Sequence, residues 1–408
     1  MAKEKIITAL DIGASKVCCL IAAPGKNDQL DVLGYGLSHH DCLNRGVVTD
    51  IKGLSEAISK AVYEAEEISG KKVQSAVFNI SGTHMKGIAS HGQILISDRD
   101  NEITRRDVDR AIANAKSIHM PYERDIVYSV RKDFTVDGEK GIVNPAGMFG
   151  MKLETDLYLV TAKISVIDNL KKAVQQAGIG IEDYVISGIA TASSVLSQHD
   201  KDLGVVLVDI GADLTEILIF LEKRLSYVSI LPSGGDNITK VVSDKLRIPE
   251  GVAERLKIEN GSLEESAGEE TITVKVDSHS RSISKGELKA ILVSEYDKIF
   301  NSIKKELLNS GCAENASSGV VICGEPVMLD GCMEQAELAL NFPVKMGHII
   351  GLGTSPKPLP SHIYATSIGL LKYGSERRQS KKSILNMGPK NLVLAVADRA
   401  RTLYYDYF

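Results

Sequence analysis

Two stretches of this sequence set an aspartate, a glycine and a tight turn in the same order. Asp11-Ile12-Gly13-Ala14-Ser15-Lys16 closes the apolar run at residues 6–10, and Asp209-Ile210-Gly211-Ala212-Asp213-Leu214-Thr215 closes the run at 203–209. A glycine in such a turn lets backbone N–H groups approach phosphate oxygens, and an aspartate at the strand end can hold Mg²⁺ through water. Lys16 adds a point charge suited to a β- or γ-phosphate. One glycine hairpin of this kind is common. Two, each after a buried strand, form a clamp, and the chemistry they point to is the binding of a phosphate chain with a divalent cation.

The elements around these turns follow from periodicity. Residues 17–21 return from the first turn as a strand, and residues 216–220 return from the second, so the same strand–turn–strand unit occurs twice, half a chain apart. Apolar residues at helical spacing (Leu54, Ile58, Ala61, Val62, Ala65) predict a helix over 51–69 that stops at Gly70. A strand is expected at 73–80. Between 84 and 160 short strands surround one helix, 105–117, capped by Thr104. A helix over 166–176, a polar loop at 259–270, a long amphipathic helix over 285–308 and a buried strand at 320–323 follow. Residues 375–390, rich in Arg and Lys, read as a flexible basic linker.

Composition bounds the class. At 408 residues the chain exceeds one comfortable core, and 43% apolar with 25% charged residues is ordinary for a globular protein. A net charge of -5 gives no general attraction to nucleic acid. No secretory signal is expected at the start, and no apolar run reaches the roughly 20 residues of a spanning helix. The cysteines (Cys18, Cys19, Cys42, Cys312, Cys323, Cys332) form no CxxC pair and read as buried thiols.

The two turns look like the first and second phosphate motifs of the actin, Hsp70 and sugar-kinase superfamily. Within it the chain resembles the FtsA family over nearly its whole length, through RGVVTDI at 45–51, NISGTHM at 79–85, NPAGM at 144–148, GGDNIT at 234–239 and YATSIGL at 364–370. The resemblance implies an α/β, two-lobed actin-like (ribonuclease H-like) fold with an FtsA-type 1C insertion and a C-terminal amphipathic helix. Subdomain 1A would take residues 1–82 and 161–202, 1C residues 83–160, 2A residues 203–237 and 306–374, and 2B residues 238–305. ATP and Mg²⁺ would lie between the lobes, with Asp11 and Asp209 on the metal side. Gly13, Lys16, Gly211, Gly234 and Gly235 would face phosphate, flanked by Ala14, Ser15, Ala212 and Thr215. Glu254 and Lys257 would lie near ribose and adenine, and Gly324 in the adenosine loop.

Some positions depart from that pattern. Ala212, Asp213 and Leu214 replace a glycine-rich loop with threonine, Gly324-Glu325-Pro326 replaces a glycine run, and Ala14 replaces a hydroxyl residue. A carboxylate at 213 repels a γ-phosphate unless Mg²⁺ or a base compensates. Residues 185–191 carry hydroxyls where related ATPases orient water with Glu or Gln, so slow turnover or none is expected, with nucleotide as an assembly cofactor.

Wound at about 100° per residue, 391–408 places Leu392, Val393, Val396, Ala400, Leu403, Tyr404, Tyr407 and Phe408 on one arc, the pattern of a helix lying in a membrane interface. The resemblance further implies a peripheral protein on the cytoplasmic face of the membrane at the division site. It would polymerise with itself, meet other division proteins and bind the C-terminal peptide of FtsZ through 2B, where Lys298, Asn301, Lys304 and Lys305 could meet acidic residues. A pilus- or secretion-type adaptor and a small-molecule kinase of the same superfamily are the alternatives. The kinase lacks an evident base, and the amphipathic tail argues against both.

Overall fold

The computed structural model describes residues 6–26, 29–97, 100–264, 270–276 and 279–385. The chain begins with an antiparallel trio, β1 (Ile7–Ile12), β2 (Lys16–Pro24) and β3 (Leu30–His39). A short ribbon, β4 (Leu43–Asn44) with β5 (Val47–Val48), leads to α1 (Ile51–Ser69). The Asp50 carboxylate accepts from the Lys52 amide to start α1, and Gly70 in the left-handed conformation ends it. The apolar stripe Leu54, Ile58, Ala61, Val62 and Ala65 is buried, with α1 packed on β2 and β3. β6 (Ser75–Ile80) then runs parallel to β1.

The next elements form a sheet of their own: β7 (Lys86–Leu95), α2 (Arg105–Lys116), β8 (Arg124–Val136), β9 (Glu139–Ile142) and β10 (Lys152–Lys163), in antiparallel order β7-β10-β8-β9. These strands are longer than the sequence reading expected. Polar residues on their exposed faces hide the alternation, whereas Phe134, Leu153, Leu157 and Leu159 form one core with Ile103, Ala111, Ile112 and Ala115 around α2. Thr104 and Asp107 close a reciprocal capping box on α2.

α3 (Ile164–Gln176) leads to β11 (Gly180–Ile186), parallel to β6, which completes the sheet order β11-β6-β1-β2-β3. α4 (Ser187–Val195) and α5 (Gln198–Leu203) precede β12 (Val205–Ile210), β13 (Thr215–Leu221) and β14 (Arg224–Leu231). Then come α6 (Gly235–Leu246), α7 (Glu250–Asn260), the ribbon β15 (Thr271–Val276) with β16 (His279–Ser284), and α8 (Lys285–Ser310). β17 (Val320–Cys323), α9 (Cys332–Leu340), β18 (Val344–Met346) and α10 (Ser361–Leu385) finish the described chain. The last sheet has the order β14-β13-β12-β17-β18. This is the first five-stranded sheet's plan again, with β12 in the place of β1 and β13 in the place of β2.

Contacts divide the chain into two compact units. One holds residues through Thr83, Asn169–Lys223 and Ser229–Ser375, and so contains both five-stranded sheets; the other holds His84–Asp168, Arg224–Val228 and the described residues from Glu376. Two stretches differ from the sequence reading. The polar segment at 259–270 begins inside α7 and buries Leu263 beside the strand-like contact of Ser262 with Asp330. α10 continues to Leu385 through most of the expected linker, because Glu, Arg, Gln and Lys are good helix formers and basic composition alone does not unfold a helix. Residues 391–408, with the expected membrane-facing side chains, lie outside the described residues.

Candidate functional site

Within the first unit, the ends of β1 and β12 open onto a cavity of about 570 Å³ lined by Asp11, Gly13, Ala14, Ser15, Lys16, Asp209, Gly211 and Ala212. The two turns are built alike. Gly13 donates its N–H to the carbonyl of Lys16 at 2.9 Å, and Gly211 donates to that of Leu214 at 2.8 Å. Register fixes the correspondence: Asp11 lies opposite Cys18, and Asp209 lies opposite Glu216.

Each aspartate is held by the protein. Asp11 accepts from Asn79 Nδ2 at 2.9 Å and from Ser367 Oγ at 3.1 Å, while Asn79 Oδ1 accepts from the Ile12 amide at 2.7 Å. Asp209 accepts from Thr191 Oγ1 at 2.8 Å. Burial pushes the Asp11 carboxyl up to about 6, opposed by the Ser367 hydroxyl and the Lys16 charge, with the neighbouring Asp209 adding to the rise. Burial also raises Asp209, opposed by Thr191 and Lys16. Two desolvated carboxylates that repel one another are a donor set suited to a divalent cation. Among the described residues no cluster of three or more metal-ligating side chains occurs. As a pair of carboxylates, Asp11 and Asp209 fit an ion such as Mg²⁺, whose remaining ligands would have to come from elsewhere.

The rest of the wall comes from the second half. The amino end of α6 faces the cavity with Gly235 and Asp236, and a helix N-terminus favours anions. Gly234 is its N-cap; a Cβ there would lie 2.5 Å from the carbonyls of Gly211 and Ala212, so glycine lets α6 start against the second turn. Lys257, almost wholly buried, pairs with Glu254 at 2.6 Å and donates to Thr239 Oγ1 at 2.6 Å and to the Gly235 carbonyl at 3.1 Å; Thr239 donates to Glu254 as well. Gly324 has φ +109°, and a Cβ would fall 1.9 Å from the Ile210 carbonyl. Pro326, Met328, Leu329 and Ile258 give the cavity an apolar side.

Most of the expected ligands thus converge, with two exceptions. Thr215 is not part of the lining: its hydroxyl is buried and donates to the Ser233 carbonyl at 2.7 Å, because it lies on the opposite face of β13 from Glu216. Gly234 supports the wall without lining it.

Sequence reasoning missed Asn79, Glu216, Glu325 and His362, all of which line the cavity. A polar residue set among the apolar residues of the strands SAVFNI and TEILIFL is the signal for Asn79 and Glu216. Glu216 accepts from the Gly188 amide at 2.8 Å, and burial pushes its carboxyl up to about 7, with Asp209 adding to the rise. Glu325 pairs with Lys16, Nζ to Oε2 2.7 Å.

On α8 the expected peptide-binding row is only partly free. Lys304 donates to the Ala339 carbonyl at 2.9 Å and so helps hold α9. Lys298 pairs with the buried Glu295 at 2.5 Å yet remains exposed, as do Asn301 and Lys305. Among the described residues no helix is long and apolar enough to cross a membrane.

Comparison with known proteins adds independent findings. The family model described as the SHS2 domain inserted in FtsA matches residues 82–161, and that described as cell division protein FtsA matches residues 206–369. Cell division protein FtsA of Pseudomonas aeruginosa is 32% identical over 384 residues, covering 93% of this chain and 92% of its own length. Its counterpart from Neisseria meningitidis is 32% identical over 374 residues, 90% of each. Among solved structures, a PilM-PilN type IV pilus biogenesis complex is similar at TM-score 0.63 and 14% identity, over 92% of this chain and 99% of that one. MreB5 of Spiroplasma citri bound to ADP is similar at TM-score 0.55 and 13% identity, over 94% and 99%. These structures place the fold among the actin-like ones. With family models covering both the inserted sheet and the second five-stranded sheet, and relatives aligned over nine-tenths of its length, the chain belongs to the FtsA family of cell division proteins.

Proposed function

We propose that this chain is an ATP-binding, actin-like adaptor that assembles with copies of itself and tethers the FtsZ ring to the inner face of the cytoplasmic membrane. The observation that carries the nucleotide part is the repeated turn: two equivalent strand ends bring Asp11 and Asp209 to one cavity, with Lys16 and the amino end of α6 beside them. Asp11 and Asp209 would hold Mg²⁺, which when bound screens the phosphate charge. The amides of the two turns, Lys16 and the α6 terminus would meet the phosphates, Lys257 and Glu254 the ribose, and Pro326 and Met328 the base. Residues 185–191 provide no Glu or Gln to orient water, and the nucleotide acts as an assembly cofactor with slow turnover. The exposed face of α8 with Lys298, Asn301 and Lys305 would meet the acidic FtsZ peptide, and residues 391–408 would lie in the membrane interface.

Calorimetric titration of the full-length protein with Mg-ATP tests the nucleotide reading. Wild type should bind, and Asp11→Asn with Asp209→Asn should lose the magnesium-dependent part of the affinity. Absence of binding by wild type would refute it.

A further inference from the structure

Two acidic side chains of the cleft reach from the second half of the cavity wall to the first. Glu325 stands on the turn that follows β17, yet its carboxylate meets Lys16, which opens β2, at 2.7 Å. Asp213 stands in the second glycine turn, and its carboxylate accepts the backbone N–H of Arg45, from the ribbon of β4 and β5, at 2.5 Å. The turn hydrogen bonds align Asp213 with Ser15 and Leu214 with Lys16. The two turns together therefore carry one lysine, Lys16, and an acid of the same chain already holds it.

We propose that Glu325 is a built-in competitor of the phosphate chain and sets how strongly this site distinguishes nucleoside polyphosphates from nucleosides. This rests on the nucleotide reading above. A phosphate oxygen that approaches the Lys16 ammonium must share it with the Glu325 carboxylate or displace it, and in either case the carboxylate faces the incoming negative charge. Adenosine brings no anion to Lys16 and leaves the pair intact. Glu325 therefore weakens binding in proportion to the phosphate charge and leaves the nucleoside part unaffected. Asp213 is a second tie between the walls of the same cleft.

The pair is half-exposed, with side-chain exposures of 19% for Lys16 and 50% for Glu325. Freeing the lysine from such a partner amounts to a factor of about two to five, and removing the like charge facing the phosphates adds a comparable factor. Glu325→Gln should bind Mg-ATP and Mg-ADP about tenfold more tightly than wild type, with adenosine unchanged.

Titrations of full-length wild type, Glu325→Gln, Lys16→Ala and the double variant with Mg-ATP, Mg-ADP and adenosine test the idea, with thermal unfolding confirming the fold of each. Tighter polyphosphate binding by Glu325→Gln, abolished in the Lys16→Ala background, is the expected result. Equal or weaker ATP binding by Glu325→Gln, beside measurable binding by wild type, would overturn the competitor role and leave the nucleotide site standing. A matching gain for adenosine would also overturn it, by placing Glu325 at the nucleoside end. No ATP binding by wild type or Glu325→Gln would overturn the nucleotide reading, and the competitor with it. Asp213→Asn supplies a second variant, expected to shift ATP affinity in the same direction by a smaller factor.

Discussion

Glu216 gives the sharpest test of the cleft's electrostatics. It is the second residue of β13, lies opposite Asp209, is 6% exposed, and has its carboxyl pushed from an ordinary value of 4.5 up to about 7 by burial and by its acidic neighbour. Between those two values the folded protein holds a proton that the unfolded chain has released. Raising the pH through this window therefore removes stability, and the loss levels off above about pH 7. A displacement of this size corresponds to about 3 kcal/mol across the full window. Glu216→Gln keeps an oxygen for the Gly188 amide and carries no charge, so it lacks the dependence; Asp11 titrates in both proteins and cancels. Urea unfolding of wild type and Glu216→Gln, without nucleotide or Mg²⁺, should show the variant gaining about 2 to 3 kcal/mol relative to wild type between pH 5 and pH 8. A stability difference that stays constant over that range would refute the placement of an ionisable, desolvated carboxylate on the cleft floor.

Gly324→Ala should lower stability by about 2 to 4 kcal/mol, because a side chain at φ +109° is strained and its Cβ would meet the Ile210 carbonyl; denaturant midpoints measure it, and a near-neutral result would contradict the described turn. Charge reversal of the exposed α8 face, Lys298→Glu with Lys305→Glu, should weaken binding of FtsZ tail peptide at least tenfold in fluorescence polarisation, whereas Lys304→Glu should act through stability because its ammonium holds the Ala339 carbonyl. Unchanged peptide affinity in the double variant would discard this surface. Removing residues 391–408 should abolish co-flotation with anionic liposomes, and equal flotation of the shortened protein would reject the proposed anchor.

Much of this site could be read before folding because its chemistry is local in sequence. Asp11 to Lys16 and Asp209 to Gly211 carry both the proposed ligands and the turn that aims them. Thr104 and Gly70 likewise mark helix ends through contacts only a few residues away. The residues that were missed act across distance. Asn79 reaches Asp11 from a neighbouring strand, and Glu325 reaches Lys16 from the other half of the chain. Thr215 shows the converse: its motif neighbours predicted a ligand, but the two-residue alternation of β13 points it at Ser233 and gives the cleft Glu216 instead. Lys304 had the right spacing for a free charge, and only the packing of α9 against α8 shows where its ammonium goes.

The doubled sheet plan carries a consequence for direction. Two identical hairpins facing each other would present a linear polyanion with the same welcome from either end, so it could enter head-first or tail-first. Here the copies have diverged: the first hairpin keeps a lysine where the second has Leu214, and the second has Glu216 where the first has Cys18. That inequality turns a symmetric grip into one with a distinguishable front and back, and a bound chain of phosphates would then have a single favoured orientation.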